Sequence, residues 1–247
     1  MQKKIRVGAV SYLNTKPLIY GFQQGLLADQ IEMTLDYPAR LATALQKKEI
    51  DIALLPVAAL QRIPEAEVIS NYCIGALGEV ASVCIFSEVP MDEIQSIYLD
   101  YQSQTSVALT KILLREHWQT RPMLMEADEN YISQIKGKTA GLIIGDRALE
   151  NYNKFPYRYD LSIAWHEYTQ LPFVFATWIS AVSLSEEFKT EFNRATGMGV
   201  ESIDQIIANT PYPAYNIETY YKKNINYHLD DEERKAMTLF LKLAETN

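Results

Sequence analysis

Four polar segments of the chain offer side chains that could bind a small molecule, and each lies in or just after a short apolar run. The first is residues 11–17, whose polar side chains belong to Ser11, Tyr12, Asn14, Thr15 and Lys16. The others are Ser82, residues 100–106 and residues 145–147. Hydroxyl and amide groups donate hydrogen bonds without carrying charge. Such segments suit the binding of an anion such as a carboxylate.

Residues 103–106, Ser-Gln-Thr-Ser, come immediately before a strong helical pattern. The start of a helix has unpaired N–H groups and the positive end of the helix dipole, to which the hydroxyls add donors. The cluster therefore predicts either a carboxylate site or ordinary N-capping, because Ser and Thr cap many helices. Residues 11–17 are open to the same two interpretations, since Asn also favours turns. Asp146 fits a helix cap as well as a functional pair with Arg147.

The sequence lacks the patterns of the common catalytic and cofactor sites. None of the four segments supplies a His, a Cys or a close pair of carboxylates, which nucleophilic and paired-acid mechanisms need. There is no Gly-rich phosphate loop, and the three histidines, His117, His166 and His228, are scattered without metal-ligand spacing. We therefore expect no metal and no cofactor.

Composition and charge are typical of an ordinary globular protein. Of the 247 residues, 48% are apolar and 22% are charged. The net charge of -8, with no long basic run, argues against a nucleic-acid or membrane-surface partner. The first residues lack the pattern of a signal peptide, no run of 18 apolar residues occurs, and both cysteines lie in apolar runs. We expect a cytoplasmic protein, and its oligomeric state stays open.

Short β-rich runs alternate with helical patterns, which favours an α/β fold with parallel strands and crossover helices. Strands are predicted at residues 5–10, 50–57, 80–86, 96–100, 140–144 and 173–179, and helices at 38–48 and 105–118. The last sixty residues are mostly helical, and Asp230 with Glu233 fits a capping box. We expect this C-terminal segment to serve packing rather than chemistry.

No Pro-rich or Ser-rich linker divides the chain, so a domain boundary must be a strand crossover. The best positions are residues 87–92 and 170–172. Two crossovers predict two lobes, each a mostly parallel sheet with flanking helices. Lobe one would hold residues 1–88 and 176–247, lobe two residues 89–175. A small ligand would bind in the cleft between them, since ligands of open α/β sheets lie beyond the carboxyl ends of the strands.

Residues 7–18, Val-Gly-Ala-Val-Ser-Tyr-Leu-Asn-Thr-Lys-Pro-Leu, are similar to the opening motif of the chorismate dehydratases, which act first in the futalosine route to menaquinone. Later segments resemble further blocks of this family in the same order, namely residues 51–57, 82–83, 99–106, 144–146 and 171–176. The resemblance covers roughly residues 5–180, and its opening motif is specific. It implies a type 2 periplasmic-binding-protein-like fold and the dehydration of chorismate to 3-[(1-carboxyvinyl)oxy]benzoate.

The resemblance also implies roles for the polar segments. Asn14 would be the catalytic residue, and the substrate-binding residues would be Ser11, Thr15, Ser82, Ser103, Gln104, Thr105, Ser106, Gly145, Asp146, Pro172 and Phe173. Because the segments contain no obvious side-chain base, we expect the substrate's own enolpyruvyl carboxylate to take the proton. The chain departs from the family at Gln104, where the family often has Arg, so the anion-binding arrangement stays open.

Two alternatives remain at this point. One is the related cyclase of the futalosine pathway, whose opening loop has Cys and Asp residues where this chain has residues 12–16. The other is a non-catalytic protein of the same fold that binds or senses a small carboxylate, because this fold mostly serves binding. Incubation with chorismate would separate the enzyme from the binding protein.

Overall fold

Two α/β lobes make up the computed structural model, which describes residues 4–63 and 65–245. The strands are β1 (Ile5–Ala9), β2 (Ile31–Leu35), β3 (Ile52–Pro56), β4 (Glu67–Ala76), β5 (Val83–Ser87), β6 (Ser96–Leu99), β7 (Met123–Glu126), β8 (Thr139–Ile144), β9 (Tyr157–Asp160), β10 (Phe173–Ser180) and β11 (Asn226–His228). The helices are α1 (Lys16–Gln23), α2 (Pro38–Gln46), α3 (Gln104–Glu116), α4 (Asp146–Asn151), α5 (Leu161–Thr169), α6 (Glu186–Glu201), α7 (Ile203–Ala208), α8 (Ile217–Thr219) and α9 (Asp231–Ala244).

Each lobe is built on a mixed sheet. The first has the order β11-β4-β10-β3-β1-β2, in which β1 pairs in parallel with β2 and β3 while β10 runs antiparallel to β3 and β4. The second has the order β7-β6-β8-β5-β9, in which β6 is parallel to β7 and β8 while β5 is antiparallel to β8 and β9. The two-lobed α/β prediction is confirmed. The sheets are mixed rather than mostly parallel because β5, β10 and β11 run antiparallel to their neighbours.

Strong apolar runs predicted their elements well, and weak ones did not. A strand occurs at each of the six predicted positions, and both predicted helices occur, as α2 and α3. Five strands were missed: β2, β4, β7, β9 and β11. The edge strands β2 and β7 are largely exposed, so they carry no continuous apolar run that could distinguish them from loops.

The chain passes between the sheets earlier than the predicted boundaries. β4 ends at Ala76 in the first sheet, and β5 begins at Val83 in the second. The prediction kept β5 in lobe one because its apolar run gives no sign of which sheet it joins. On the return, β10 lies wholly in the first sheet, although its first residues were predicted in lobe two. The division of the remaining residues between two domains stays a prediction.

An aromatic cluster packs at the second passage between the sheets. Trp165 of α5 lies 5.3 Å from Phe173 of β10, ring centre to ring centre, and Phe173 lies 5.1 Å from Phe240 of α9. The Trp165 indole N–H donates to the carbonyl of Pro172 at 2.9 Å. This packing joins α5 to the sheet of the other lobe. Within the described residues, no helix has both the length and the apolarity to cross a membrane.

The first passage between the sheets is held by a buried carboxylate, that of Asp160. Its Oδ2 accepts hydrogen bonds from the backbone N–H groups of Val80 and Ala81 at 3.0 and 2.7 Å. Its Oδ1 accepts from the N–H groups of Ser162 and Ile163 at 2.9 and 3.2 Å and so caps α5. Burial raises the pKa of Asp160 to about 6, although these N–H groups oppose the shift. The residues that precede Ser82 are thereby fixed to the start of α5.

Asp160→Asn should lower the free energy of unfolding by about 1–2 kcal/mol in urea denaturation at neutral pH, because the loss of hydrogen bonds outweighs the relief of a buried charge whose pKa is raised to about 6. The amide NH₂ replaces one carboxylate oxygen, so two of the four backbone N–H groups lose their acceptor. The control is Asp128→Asn, which alters an exposed carboxylate that accepts one backbone N–H. If Asp160→Asn were as stable as Asp128→Asn, the four hydrogen bonds would not hold this crossover.

Candidate active site

A cavity lies between the two lobes, where the carboxyl ends of β1, β3 and β8 face one another. Its polar lining comes from Tyr12, Asn14, Ser82, Ser103, Ser106 and Gly145. The rest of the wall is apolar and includes Leu54, Ile74 and Phe175. No Asp, Glu, Lys, Arg or His is among the described residues that line it. The cavity therefore offers a ligand neutral hydrogen-bonding groups on a largely apolar surface.

Five of the predicted site residues line this cavity. They are Asn14, Ser82, Ser103, Ser106 and Gly145, and they come from all four of the polar segments. Asn14 follows β1, Gly145 follows β8, and Ser82 directly precedes β5. The structure thus brings together segments that lie far apart in the chain, as the convergence of strand ends at a sheet edge requires.

The other predicted residues lie outside the cavity wall. Ser11 and Gln104 are exposed to solvent, whereas Thr15 is fully buried. Pro172 and Phe173 belong to the aromatic cluster. Thr105 Oγ1 accepts the backbone N–H of Ala58 at 2.9 Å, which connects α3 to the first lobe. Thr105 already has a hydrogen-bond partner, and the other residues lie away from the cavity wall. Contact between these residues and a ligand therefore stays a prediction.

Ser103 and Ser106 form the N-terminal cap of α3, and they also face the cavity. Ser103 Oγ accepts from the Ser106 backbone N–H at 3.2 Å and from the Ser106 hydroxyl at 3.0 Å. The capping interpretation and the binding interpretation therefore concern the same atoms. Because Ser103 Oγ accepts twice, its own hydrogen remains to be donated, and the two donors polarise it.

Unusual backbone conformations place Ser82 and Gly145 side by side. The Gly145 N–H donates to the Ser82 carbonyl at 2.8 Å. Gly145 has φ 62° and ψ -147°, a conformation open essentially to glycine, and a Cβ there would lie 3.3 Å from the Tyr12 ring. Ala81 has φ 60°, in the left-handed region. The hydrogen bonds of Asp160 to Val80 and Ala81 help to hold this strained turn.

Tyr220 is a residue that the sequence analysis missed. It lies in a π-helical turn, Tyr220–Asn224, within the C-terminal segment that was expected only to pack. Its hydroxyl is fully buried and has no hydrogen-bond partner, as is also true of Asn14 Oδ1 and Ser82 Oγ. Burial raises the pKa of Tyr220, and the neighbouring Ser82 and Asn14 side chains partly oppose this. No local pattern distinguishes Tyr220 from the other tyrosines of the segment.

The cations nearest to these segments are engaged elsewhere. Arg147 forms an ion pair with the buried carboxylate of Asp100 at 2.7 Å, and that carboxylate also accepts from the Tyr131 hydroxyl at 2.8 Å. Arg147 is therefore paired with Asp100 rather than with Asp146, its sequence neighbour. Lys16 Nζ lies 3.3 Å from Thr210 Oγ1, outside the cavity wall.

Asp146 connects the lobes beside the cavity. Its Oδ1 accepts the Leu13 N–H at 3.1 Å, and its backbone carbonyl accepts the Tyr212 hydroxyl at 3.1 Å. Tyr12 adds a second connection, because its hydroxyl donates to Gln102 Oε1 at 2.7 Å. These contacts hold residues 12–14 against the second lobe, with the Asn14 side chain at the cavity.

A family model described as menaquinone biosynthesis matches residues 5–246. The chain belongs to this family. The chorismate dehydratase of Thermus thermophilus is 26% identical, over 95% of this chain and 93% of its own length. That of Campylobacter jejuni is 28% identical, over 96% of each chain. The predicted family is confirmed.

Solved structures place this menaquinone biosynthesis family member in the periplasmic-binding-protein fold. The periplasmic aliphatic sulphonate binding protein SsuA from Escherichia coli superposes with a TM-score of 0.67 at 12% identity, over 100% of this chain and 93% of that one. The similarity at this identity concerns the fold alone. It confirms the fold that was predicted from the resemblance.

Asp146→Asn should make this family member more stable at alkaline pH. Burial raises the pKa of Asp146 from 3.8 to about 6, so the folded state binds the proton more tightly than the unfolded state. The stability from this group is present below about pH 4 and is lost as the pH rises through 6. Asn keeps an acceptor for the Leu13 N–H but carries no charge.

The free energy of unfolding of Asp146→Asn should exceed that of the unmodified protein by about 1–2 kcal/mol at pH 8. The difference should shrink by pH 4, because Asp146 is then protonated in the folded state and is partly protonated in the unfolded state as well. Urea denaturation at the two pH values measures it. The same difference at both values would contradict the assignment of the effect to the Asp146 carboxylate.

Proposed function

We propose that this protein is a chorismate dehydratase that acts in the cytoplasm and converts chorismate to 3-[(1-carboxyvinyl)oxy]benzoate and water. The observation that carries the proposal is the convergence of five uncharged residues, from four segments that resemble the chorismate dehydratases, on one cavity. The names of the two curated relatives support the same activity. No other described cavity combines these segments.

The reaction removes the C3 hydrogen and the C4 hydroxyl of chorismate. The C3–H bond is vinylogous to the ring carboxylate, so loss of the proton places charge on an extended enolate. That electron pair then expels the C4 hydroxyl, which leaves as water after taking up a proton, and the ring becomes aromatic. The protein must hold a dianion in one conformation and stabilise the enolate as it forms.

The proton requires a base, and the cavity wall provides none among its described residues. The enolpyruvyl group of chorismate carries its own carboxylate, joined through oxygen to the carbon that loses the proton. We infer that this carboxylate takes the C3 proton. The protein then contributes by fixing the conformer in which the carboxylate reaches C3.

Neutral donors suit this chemistry because the cavity is largely apolar. Hydrogen bonds to an anion are stronger where water is excluded, and donors that are already oriented need no rearrangement during the reaction. Ser103 would bind a carboxylate through its free hydrogen, which is polarised because the Ser106 hydroxyl and backbone N–H both donate to Ser103 Oγ. The Ser106 hydrogen is engaged in that bond and the Ser82 hydroxyl is buried, so these two residues would shape the wall. Asn14 would orient the leaving C4 hydroxyl.

A second candidate function is the binding of a small carboxylate without turnover. The absence of an acid or base from the described cavity wall favours it, and SsuA, which has the same fold, is named for binding. Incubation with chorismate separates the two functions. Aromatic product supports the dehydratase, whereas chorismate that is bound and recovered unchanged supports the binding protein.

Asn14→Asp should lower kcat for chorismate at least about 100-fold. The new carboxylate would repel the dianion and cannot donate the hydrogen bond of an amide. The fold should remain, because the side chains are of nearly equal size and Asp keeps an oxygen at the buried position of Asn14 Oδ1. Formation of aromatic product, followed by chromatography, measures the rate, and circular dichroism checks the fold.

The matched control is Asn130→Asp, which makes the same chemical change at an exposed residue outside the cavity. It should retain the kcat of the unmodified protein. Full activity in Asn14→Asp would remove Asn14 from the mechanism. An equal loss in both variants would assign the effect to net charge rather than to the cavity.

A further inference from the structure

Three buried polar atoms near the cavity have no hydrogen-bond partner, and two of them belong to side chains close enough to the third to shift its pKa. They are Asn14 Oδ1, Ser82 Oγ and the Tyr220 hydroxyl, and each is fully buried. A buried polar group without a partner costs about 1–3 kcal/mol, so three in one place call for an explanation. Asn14 and Ser82 line the cavity, whereas Tyr220 does not. Tyr220 therefore lies behind two residues of the cavity wall.

The π-helical turn Tyr220–Asn224 is attached to both segments that carry these residues. The Tyr221 hydroxyl donates to the carbonyl of Leu13, next to Asn14, at 2.9 Å. Asn224 Nδ2 donates to the carbonyl of Glu79, three residues before Ser82, at 3.0 Å. These two hydrogen bonds place Tyr220 between the segments. A π-helical turn within a helical segment often marks a functional position.

The hydrogen-bonding capacity of a phenol matches the two groups beside it. A phenol has one hydrogen to donate and a lone pair with which to accept. Its hydrogen can satisfy Asn14 Oδ1, and its lone pair can accept the hydrogen of the Ser82 hydroxyl, which is buried as well. Asn14 Oδ1 is buried, so Nδ2 is the atom of the Asn14 amide that a ligand in the cavity can reach.

We propose that Tyr220 is a positioning residue whose hydroxyl bridges Asn14 and Ser82 and fixes the direction in which Asn14 presents its NH₂ group to a ligand. The part of this proposal that concerns the turnover of chorismate rests on the proposed function. The hydroxyl does not touch the substrate. It acts through Asn14, whose amide would otherwise be free to rotate and exchange its oxygen and nitrogen positions.

Tyr220→Phe tests the role, because it removes the hydroxyl and keeps the buried ring. We expect kcat for chorismate to fall about 10- to 100-fold while KM changes less than about threefold, since misorientation costs more in the transition state than in binding. The control is Tyr227→Phe, the same substitution at another buried tyrosine with an unpartnered hydroxyl. Burial raises the pKa of Tyr227, as do the nearby Tyr220 and Tyr221, whereas Asn14 and Ser82 are not among the groups that shift it. This control therefore changes the surroundings of Tyr220 without removing a neighbour of Asn14 or Ser82.

A second measurement does not depend on turnover. In ¹⁵N-labelled protein, the side-chain NH₂ signals of Asn14 are assigned by their loss in Asn14→Asp. They should shift or broaden in Tyr220→Phe and remain in place in Tyr227→Phe. If the unmodified protein does not convert chorismate, the proposed function fails, and these signals still decide the role of Tyr220. Unchanged signals in Tyr220→Phe, or equal losses of kcat in both Phe variants, would overturn the proposal.

Discussion

The geometry of the cavity depends on the buried carboxylate of Asp160. Four backbone N–H groups converge on it, two from the turn before Ser82 and two from the start of α5. They favour the charged form, although burial raises the pKa to about 6. This one group holds Ala81 in its left-handed conformation and thereby sets the position of Ser82 on the wall. A neutral acceptor would be weaker and could not serve all four donors.

No charged side chain is among the described residues that line the cavity. Arg147 is paired with Asp100 and Lys16 contacts Thr210, so the described wall consists of hydroxyl, amide and apolar groups. A dianion that enters such a cavity loses water and gains neutral donors that are already oriented. This arrangement stabilises negative charge as it moves during a reaction, because no fixed cation holds it at one end of the molecule. It also explains how a protein with a net charge of -8 can receive an anion locally.

The lobes meet through a few hydrogen bonds beside the cavity and an aromatic cluster behind it. Residues 12–14 contact Gln102 and Asp146 of the second lobe, and Thr105 contacts Ala58 of the first. The cluster around Trp165 and Phe173 packs where the chain returns to the first sheet. Hydrogen bonds of this kind can open and close at small cost, whereas the packed aromatic rings cannot separate without loss of apolar burial. The ligand side of the cleft is therefore the side suited to opening.

The sequence alone determined the two-lobed α/β architecture and the polar segments that line the cavity. Both follow from local features: apolar runs mark strands, and the residues after strands converge at a sheet edge, as Asn14 and Gly145 do. Only the tertiary structure decided the sheet that β5 joins, the hydrogen bonds of Asp160 and the position of Tyr220 behind Asn14 and Ser82. Tyr220 lies in a segment whose pattern indicates nothing but packing. Tyr220 is a neighbour of residues that lie far from it in the chain. The periodicity of side chains along a sequence predicts only the contacts of nearby residues, so it could not predict this one.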